Sequence, residues 1–268
     1  MRPEGALMRT LEELAANAWP AHIQQHLGSW RLRASEDVTR RANSVLPLGA
    51  MPAYAGWYEE IISFYERRRL PIRFQVSDAA PEGLDAILQG MGYTAEAHSA
   101  VYVARCHDVV TRSSQDDGLR LTLSNTLEEK WLDSFLRIEG HDEARRGAYR
   151  RIMGSIGPPA CFVEAWQDGV VIGIGMGVAE REWIGMFNIA TLPHYRRRGV
   201  GTGIVRALAE WGLENGAAQA YLQVMLTNGT AINLYTKLGF RYLYGYHYRV
   251  AQSDPRGKKP KRNAGGAP

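Results

Sequence analysis

The sequence predicts a protein of the α/β (α+β) class, built as two related domains. Segments of strand and helix period alternate along the chain, separated by turn signals. The apolar run Ile184 to Leu192 stops at Pro193 and a basic, glycine-rich turn follows; Ile204-Val205-Arg206-Ala207-Leu208-Ala209-Glu210-Trp211 then resumes at helical spacing. That is strand, loop, helix. The chain also repeats itself. Phe74-Gln75-Val76, followed by Leu84 to Gly92-Tyr93, parallels Leu222-Gln223-Val224, followed by Ala231 to Gly239-Phe240, with Gln-to-Gly intervals of 17 and 16 residues.

Residues 1–8 read as a lead-in, and Thr10 as the cap of a helix through Leu11, Leu14, Ala15 and Ala18 to Trp19, with Glu13 at the capping-box position. Pro20 starts a second helical piece. Its His22 and His26 lack the Glu of a His-Glu-x-x-His metal site and are read as a solvated face, so no metal is expected. Trp30–Ala34 and Arg41–Val45 read as strands, and Pro47, Gly49 and Pro52 form a loop. A helix follows from Tyr54 to Arg68, then a strand at Ile72–Val76, a helix at Gly83–Met91 and a strand at Ala100–Ala104. Residues 1–106 make the first domain.

Residues 107–118 are polar and turn-rich and read as a linker; residues 119–252 are the second domain. Its expected elements are a strand at Leu119–Leu123, helices at Leu127–Ile138 and Glu143–Met153, and strands at Ala160–Trp166, Val170–Val178 and Trp183–Ala190. A helix at Ile204–Asn215, a strand at Ala218–Met225, a helix at Thr230–Leu238 and a strand at Tyr242–Val250 complete it. Asp168-Gly169 marks a hairpin turn. From residue 253 on, a Gly-, Pro- and Lys-rich tail without apolar period reads as disordered.

At 268 residues the chain can bury a sizeable core, and no apolar run approaches the roughly 18 residues of a membrane span. With no signal pattern at its start, a soluble, cytoplasmic protein is expected, with no membrane partner. The pI of about 9.1 suggests a nucleic-acid binder until the charges are placed. Arg256, Lys258, Lys259, Lys261 and Arg262 fall in the last 14 residues; without those five, 27 basic residues face 28 acidic ones. The body is neutral, so nucleic acid is not an expected partner. Cys106 and Cys161 lie in apolar, strand-like runs and read as small buried hydrophobes rather than a disulfide.

A glycine-rich loop that opens a helix offers unpaired N–H groups and the positive end of the helix dipole, which suits a polyphosphate. Arg196, Arg197 and Arg198 add charge, while Gly199 and Gly201 let the backbone approach the ligand without a Cβ. Neither a P-loop nor a dinucleotide fingerprint is present. Arg196-x-x-Gly199-x-Gly201 after Pro193-x-Tyr195, with Asn228-x-x-Ala231-x-x-Leu234-Tyr235-x-Lys237-x-Gly239-Phe240 downstream, resembles the GNAT superfamily of acyl-CoA-dependent N-acyltransferases.

The resemblance covers residues 119–250. It implies two GNAT-like domains, each a mixed, mostly antiparallel twisted sheet flanked by helices, with acetyl-CoA as cosubstrate. It implies that backbone groups of Ile189, Ala190 and Thr191 pair with the pantetheine arm. Residues 196–202, including Val200 and Thr202, hold the pyrophosphate, and Asn228 and Tyr235 line the CoA arm. The first copy has Leu46-Pro47-Leu48-Gly49-Ala50-Met51-Pro52 where the second has the basic loop, and Ile87 or Leu88 in place of Tyr235, so it reads as degenerate.

Acyl transfer to an amine needs an aligned thioester, a neutral amine and a proton for the thiolate. Tyr235 is the candidate donor, since a phenol near pKa 10 stays un-ionised at neutral pH. An amine with pKa near 10.4 is about one part in a thousand neutral at pH 7.4, a factor worth roughly 4 kcal/mol, so a base would help. Glu139 is the candidate. Asp142 and Glu143, with His141, are near it; a solvated loop with helix caps is the competing reading of this acidic group. Glu180 and Glu182 rank lower, in a turn away from the loop, and Asn188 is a further candidate. The expected activity is transfer of an acetyl group from acetyl-CoA to a primary amine of a small molecule or peptide by direct attack. The alternatives are a non-catalytic acyl-CoA sensor and a nucleic-acid-associated protein using the basic tail.

Overall fold

The computed structural model describes residues 3–113 and 119–252. The basic tail and residues 114–118 of the expected linker lie outside them. Among the described residues, eleven strands form one sheet. In chain order the elements are α1 (Pro3–Ala18), β1 (Ile23–Leu27), β2 (Trp30–Ala34), β3 (Val45–Leu46), α2 (Trp57–Glu66), β4 (Arg73–Ser77), α3 (Leu84–Gly90), β5 (Tyr93–Arg105) and α4 (Cys106–Arg112). Then come β6 (Arg120–Ser124), α5 (Glu129–Glu139), a 3-10 turn (Glu143–Arg145), α6 (Arg146–Gly154), β7 (Ala160–Gln167), β8 (Val170–Glu180) and β9 (Trp183–Thr191). A second 3-10 turn (Pro193–Tyr195), α7 (Val200–Glu214), β10 (Gln219–Met225), α8 (Gly229–Lys237) and β11 (Arg241–Ala251) end the series.

The strand order β1-β2-β3-β4-β11-β5-β10-β9-β8-β7-β6 interleaves the two halves. β11, from the C-terminal half, pairs antiparallel with β4 and β5, and β5 pairs antiparallel with β10. The pattern is the same read from either side of the β11–β5 pair: β3 runs parallel to β4, and β9 to β10. The repeated sequence thus forms equivalent strands, each half lending one strand to the other. The remaining neighbours are antiparallel, so the sheet is mixed and mostly antiparallel.

Alternating side chains send β5, β8, β9 and β10 into two cores, and β11 into the first of them. On one face α1, α5 and α6 pack Leu11, Trp19, Trp131, Phe135 and Tyr149 against Phe187, Tyr221, Tyr244, Tyr246 and Tyr248. On the other α4, α7 and α8 pack Val109, Ile204, Leu208 and Tyr235 against Ile184, Met186 and Leu222. Helices α2 and α3 cover the N-terminal strands around Trp30, Phe64 and Phe74. Cys106 and Cys161 are free and buried, and burial pushes both thiols up to about 12.

Several elements differ from expectation. Helix α1 starts at Pro3 because Leu7 and Met8 extend its apolar face upstream, leaving Thr10 inside the helix rather than at its cap. His26 lies on a strand and His22 just before it; Gly28-Ser29 closes a two-residue hairpin in which Leu27 faces Trp30, and both histidines are exposed. The expected strand at 41–45 shrinks to Val45–Leu46. β5 begins at Tyr93, since its first half is a strand only by pairing with β11, a partner far away in sequence. Residues 106–112 are helical: Cys106 and Val109 are buried, and Arg206 of α7 donates to the carbonyls of Val110 and Ser113 at 3.2 and 2.7 Å. Asp168 and Gly169 both take positive φ, as their hairpin requires.

Candidate functional site

Helix α7 begins at Val200, four residues before the expected start. Gly199, at φ +80°, is its N-cap, and Gly203 makes the first intrahelical bond, to the Gly199 carbonyl at 2.9 Å. The N–H groups of Val200, Gly201 and Thr202 have no acceptor among the described residues, and the first turn holds no acid. This is the electrostatic setting an anion needs. Glycine lowers helix propensity, which hid this turn from a local reading. Packing requires it: a Cβ at Gly203 would lie 2.7 Å from Leu119 Cδ2, and one at Gly201 3.0 Å from Leu234 Cδ2. Beneath the helix, Gly173, Gly175 and Gly177 of β8 leave room for Val200, Ile204 and Leu208, whose side chains would be 2.7, 2.4 and 3.0 Å from added Cβ atoms. That alternate-glycine stripe sets the depth at which α7 sits.

The three arginines occupy different positions. Arg196 Nε donates to the Thr191 carbonyl at 3.2 Å. Arg198 lies over the Tyr195 ring, 5.5 Å from its centroid. Arg197 takes φ +62° and its side chain makes no hydrogen bond, ion pair or ring contact among the described residues. All three are exposed.

Next to the loop the sheet opens. The parallel ladder of β9 and β10 ends at Met186–Leu222, while β10 continues to Met225 along β5 and β9 continues to Thr191 along β8. A bulge at Asn188, which has φ +51°, turns β9 away. Ile189, Ala190 and Thr191 therefore border a slot, with no strand among the described residues on their β10 side. Ile189 packs toward the α7 core and Ala190 toward the α1 core. Asn188 Nδ2 on one strand and Gln223 Oε1 on the other are buried without a hydrogen-bond partner among the described residues.

Tyr235, on α8, is buried with its ring edge-on to Phe240 at 5.8 Å; its hydroxyl makes no hydrogen bond among the described residues. Burial, and after it the charge of Glu139, pushes the phenol up to about 12. Glu139 is the last residue of α5, which Gly140 closes in the left-handed conformation. Glu139 is exposed, yet desolvation raises its pKa, with the Arg196 guanidinium working the other way. Thus Glu139, Arg196 and Tyr235, from three separate elements, share one electrostatic neighbourhood.

The other candidates have structural work. Asp142 accepts from the Ala144 N–H at 2.9 Å and Glu143 pairs with Arg146, as helix-cap chemistry would have them. His141 stacks on Tyr149, with Nε2 at 3.3 Å from its hydroxyl. Glu180 accepts from Asn17 Nδ2 of α1 at 3.2 and 3.1 Å. Asn228 caps α8, its Oδ1 accepting from the Ala231 N–H at 3.1 Å, which leaves its amide nitrogen free for a ligand. Thr202 lies half-buried in the first turn of α7.

Comparison with known proteins agrees with this architecture. The family model described as "Probable histone acetyltransferase Rv0428c C-terminal" matches residues 5–249. The uncharacterized N-acetyltransferase YobR of Bacillus subtilis is 32% identical over 243 residues, 91% of this chain and 98% of that protein. A GCN5-related N-acetyltransferase from Kribbella flavida superposes with a TM-score of 0.69 at 19% identity, covering 92% of this chain and 95% of the other. A tandem GNAT protein from the clavulanic acid biosynthesis pathway gives 0.66 at 12% identity, over 90% and 87%.

Proposed function

The chain belongs to the GNAT N-acetyltransferase family, and from that premise we propose that it moves an acetyl group from acetyl-CoA to a primary amine by direct attack, in the cytoplasm, using the site on residues 119–252. The observation that carries this reading is the open, acid-free N-terminus of α7 beside the β9–β10 slot, with Tyr235 and Glu139 in one electrostatic neighbourhood. The N–H groups of Val200, Gly201 and Thr202, with Arg196 to Arg198, are the natural partners of a pyrophosphate. The free edge of Ile189 to Thr191 is suited to an extended arm that pairs like a strand and leads the thioester into the slot.

Glu139, held protonated to higher pH than an ordinary glutamate, is the better matched base for an ammonium group, directly or through water. Tyr235, at about 12, is a weak acid relative to a thiol near 8.5. Its role is therefore a hydrogen bond that stabilises the developing thiolate, which leaves as the anion and takes its proton from solvent. Both cysteine thiols are buried and raised, which supports direct attack over an acyl-cysteine route.

Titration calorimetry with acetyl-CoA, followed by thiol release with a panel of amines, tests the proposal. Binding and turnover are expected. Binding without turnover on any amine would favour an acyl-CoA sensor, and no binding would remove the reading altogether.

A further inference from the structure

The slot carries a second set of polar groups, on the α1 face, and one of them comes from the N-terminal half. Arg41, between β2 and β3, places its guanidinium 5.2 Å from the ring centroid of Phe187 on β9 and 5.7 Å from that of Trp19. Phe187 stands edge-on to Tyr221 of β10 at 6.0 Å, and Gln223, two residues further along, shares the face of Tyr221. Among the described residues no carboxylate lies within ion-pair distance of Arg41. Glu12, whose field reaches Arg41, is already occupied: Tyr244 donates to Oε1 at 3.0 Å and Gln75 to Oε2 at 2.6 Å.

Three groups therefore border one opening: on the α1 face the Arg41 guanidinium, with no carboxylate counter-ion among the described residues, and the buried, unpartnered Oε1 of Gln223; and, at the bulge of β9, the buried, unpartnered Nδ2 of Asn188. Leaving such atoms unpaired is costly, so together they describe a missing ligand with an anion, an acceptor and a donor. A guanidinium between aromatic rings matches the flat monoanion of a carboxylate in a forked hydrogen bond. Gln223 Oε1 is suited to the N–H of an amine.

We propose that Arg41 binds a carboxylate of the acceptor, so that the substrate is an amine that also bears a carboxylate, as in an amino acid, with Gln223 and Asn188 orienting it across the slot. The N-terminal half, which lacks the phosphate loop, would then supply acceptor specificity to the site of the other half. This rests on the acetyl-transfer reading, but its test separates the two.

The full chain, saturated with CoA, is titrated with two matched series: L-lysine, lysinamide and cadaverine; and L-phenylalanine, phenylalaninamide and phenethylamine. Thiol release from acetyl-CoA is measured with the same amines. In at least one series the carboxylate-bearing member should bind at least about tenfold more tightly than both partners. Arg41→Met should erase that preference without weakening the other two, and Arg41→Lys should restore part of it; melting temperatures confirm folding. No preference for carboxylate in either series, no binding of either amino acid, or an equal loss for all ligands in Arg41→Met would overturn the inference. Selective binding without thiol release would leave it standing and sink acetyl transfer. Release only with amines lacking a carboxylate would do the reverse.

Discussion

The two halves hold the same glycine in the same backbone state and use it differently. Gly49 and Gly199 both take φ +80°, each just beyond a strand that joins a parallel pair, β3–β4 or β9–β10. In the C-terminal half that glycine is the N-cap of α7, so the next N–H groups point outward. In the N-terminal half residues 50–56 intervene before α2, whose first turn carries Glu59 and Glu60, and these would repel a phosphate. The loop itself is turned inward: the Leu48 carbonyl accepts from Ser29 Oγ, and the Ala50 carbonyl from Trp30 Nε1 at 2.9 Å. A copied fold can thus lose an anion site without losing its strands, simply by moving a helix start.

The largest effect should come from the two loops. Gly201→Val is expected to weaken acetyl-CoA binding by at least about a hundredfold, since it crowds the phosphate approach. Its Cβ also meets Leu234 Cδ2 at 3.0 Å, so the melting temperature must be followed alongside calorimetry. Gly49→Ala should leave binding intact and cost about 1 kcal/mol of stability, from φ +80° and a 3.0 Å contact with Ser29 Oγ. Comparable losses of binding at both positions in folded protein would break the contrast.

Next come the helices behind the loops. Counting back from Gly92 and Gly239, which both take positive φ, makes Leu88 the counterpart of Tyr235. Tyr235→Phe should lower kcat at least about tenfold with little change in KM for acetyl-CoA, because the hydroxyl matters chiefly in the transition state. Leu88, fully buried, should behave as core: Leu88→Ala should cost about 2–5 kcal/mol in denaturant unfolding and leave the kcat of the folded fraction unchanged. An unchanged rate for Tyr235→Phe, measured where chemistry limits turnover, would make Tyr235 a packing residue too.

Much of this contrast was legible in the sequence. Local period gave nearly every element of residues 119–252, and the spacing of Gly199, Gly201, Asn228 and Tyr235 pointed to the loop and the helix behind it. What escaped depends on distant partners. β1 needs β2 to be a strand, the first half of β5 needs β11, and the first turn of α7 needs the space that glycines on β8 provide. Arg41 carried no motif at all, since its meaning arises only when β9 and Trp19 come to it from far along the chain. The spacing of Asn228 did not reveal that its carbonyl oxygen also caps α8.

A smaller effect separates the three arginines. Arg196 lowers the pKa of Glu139 against the upward push of burial. Arg196→Ala should raise it further, and the acid limb of the pH–rate profile should move to higher pH, with the rate recovering above it. Arg197→Ala, which loses no hydrogen bond or ion pair among the described residues, should fall nearest to wild type in acetyl-CoA affinity. Equal, large losses at 196, 197 and 198 would mean that the loop presents all three side chains to one phosphate group.

The smallest effect tests whether the two halves are anchored by different chemistry. α8 is capped by the neutral Asn228, whereas α3 is tied to β11 through Asp85, which accepts from Arg249 Nε and Nη2 at 2.7 Å each and lies 2.8 Å from His247 Nε2. Arg249 first, and then His247, holds the Asp85 carboxyl down at about 2 against the opposing effect of burial. A carboxyl with a depressed folded pKa contributes stability that is complete above its ordinary value near 4 and is lost as pH falls through about 2. Because the side chain is 43% exposed, solvent screening limits the contribution to on the order of 1 kcal/mol. Asp85→Asn should therefore lower stability at pH 7, lose most of that penalty by pH 2, and leave acetyl-CoA affinity untouched. Unfolding by denaturant at the two pH values decides it: a penalty of equal size at both would mean that the amide fails by shape rather than by charge, and the electrostatic difference between α3 and α8 would have no energetic consequence.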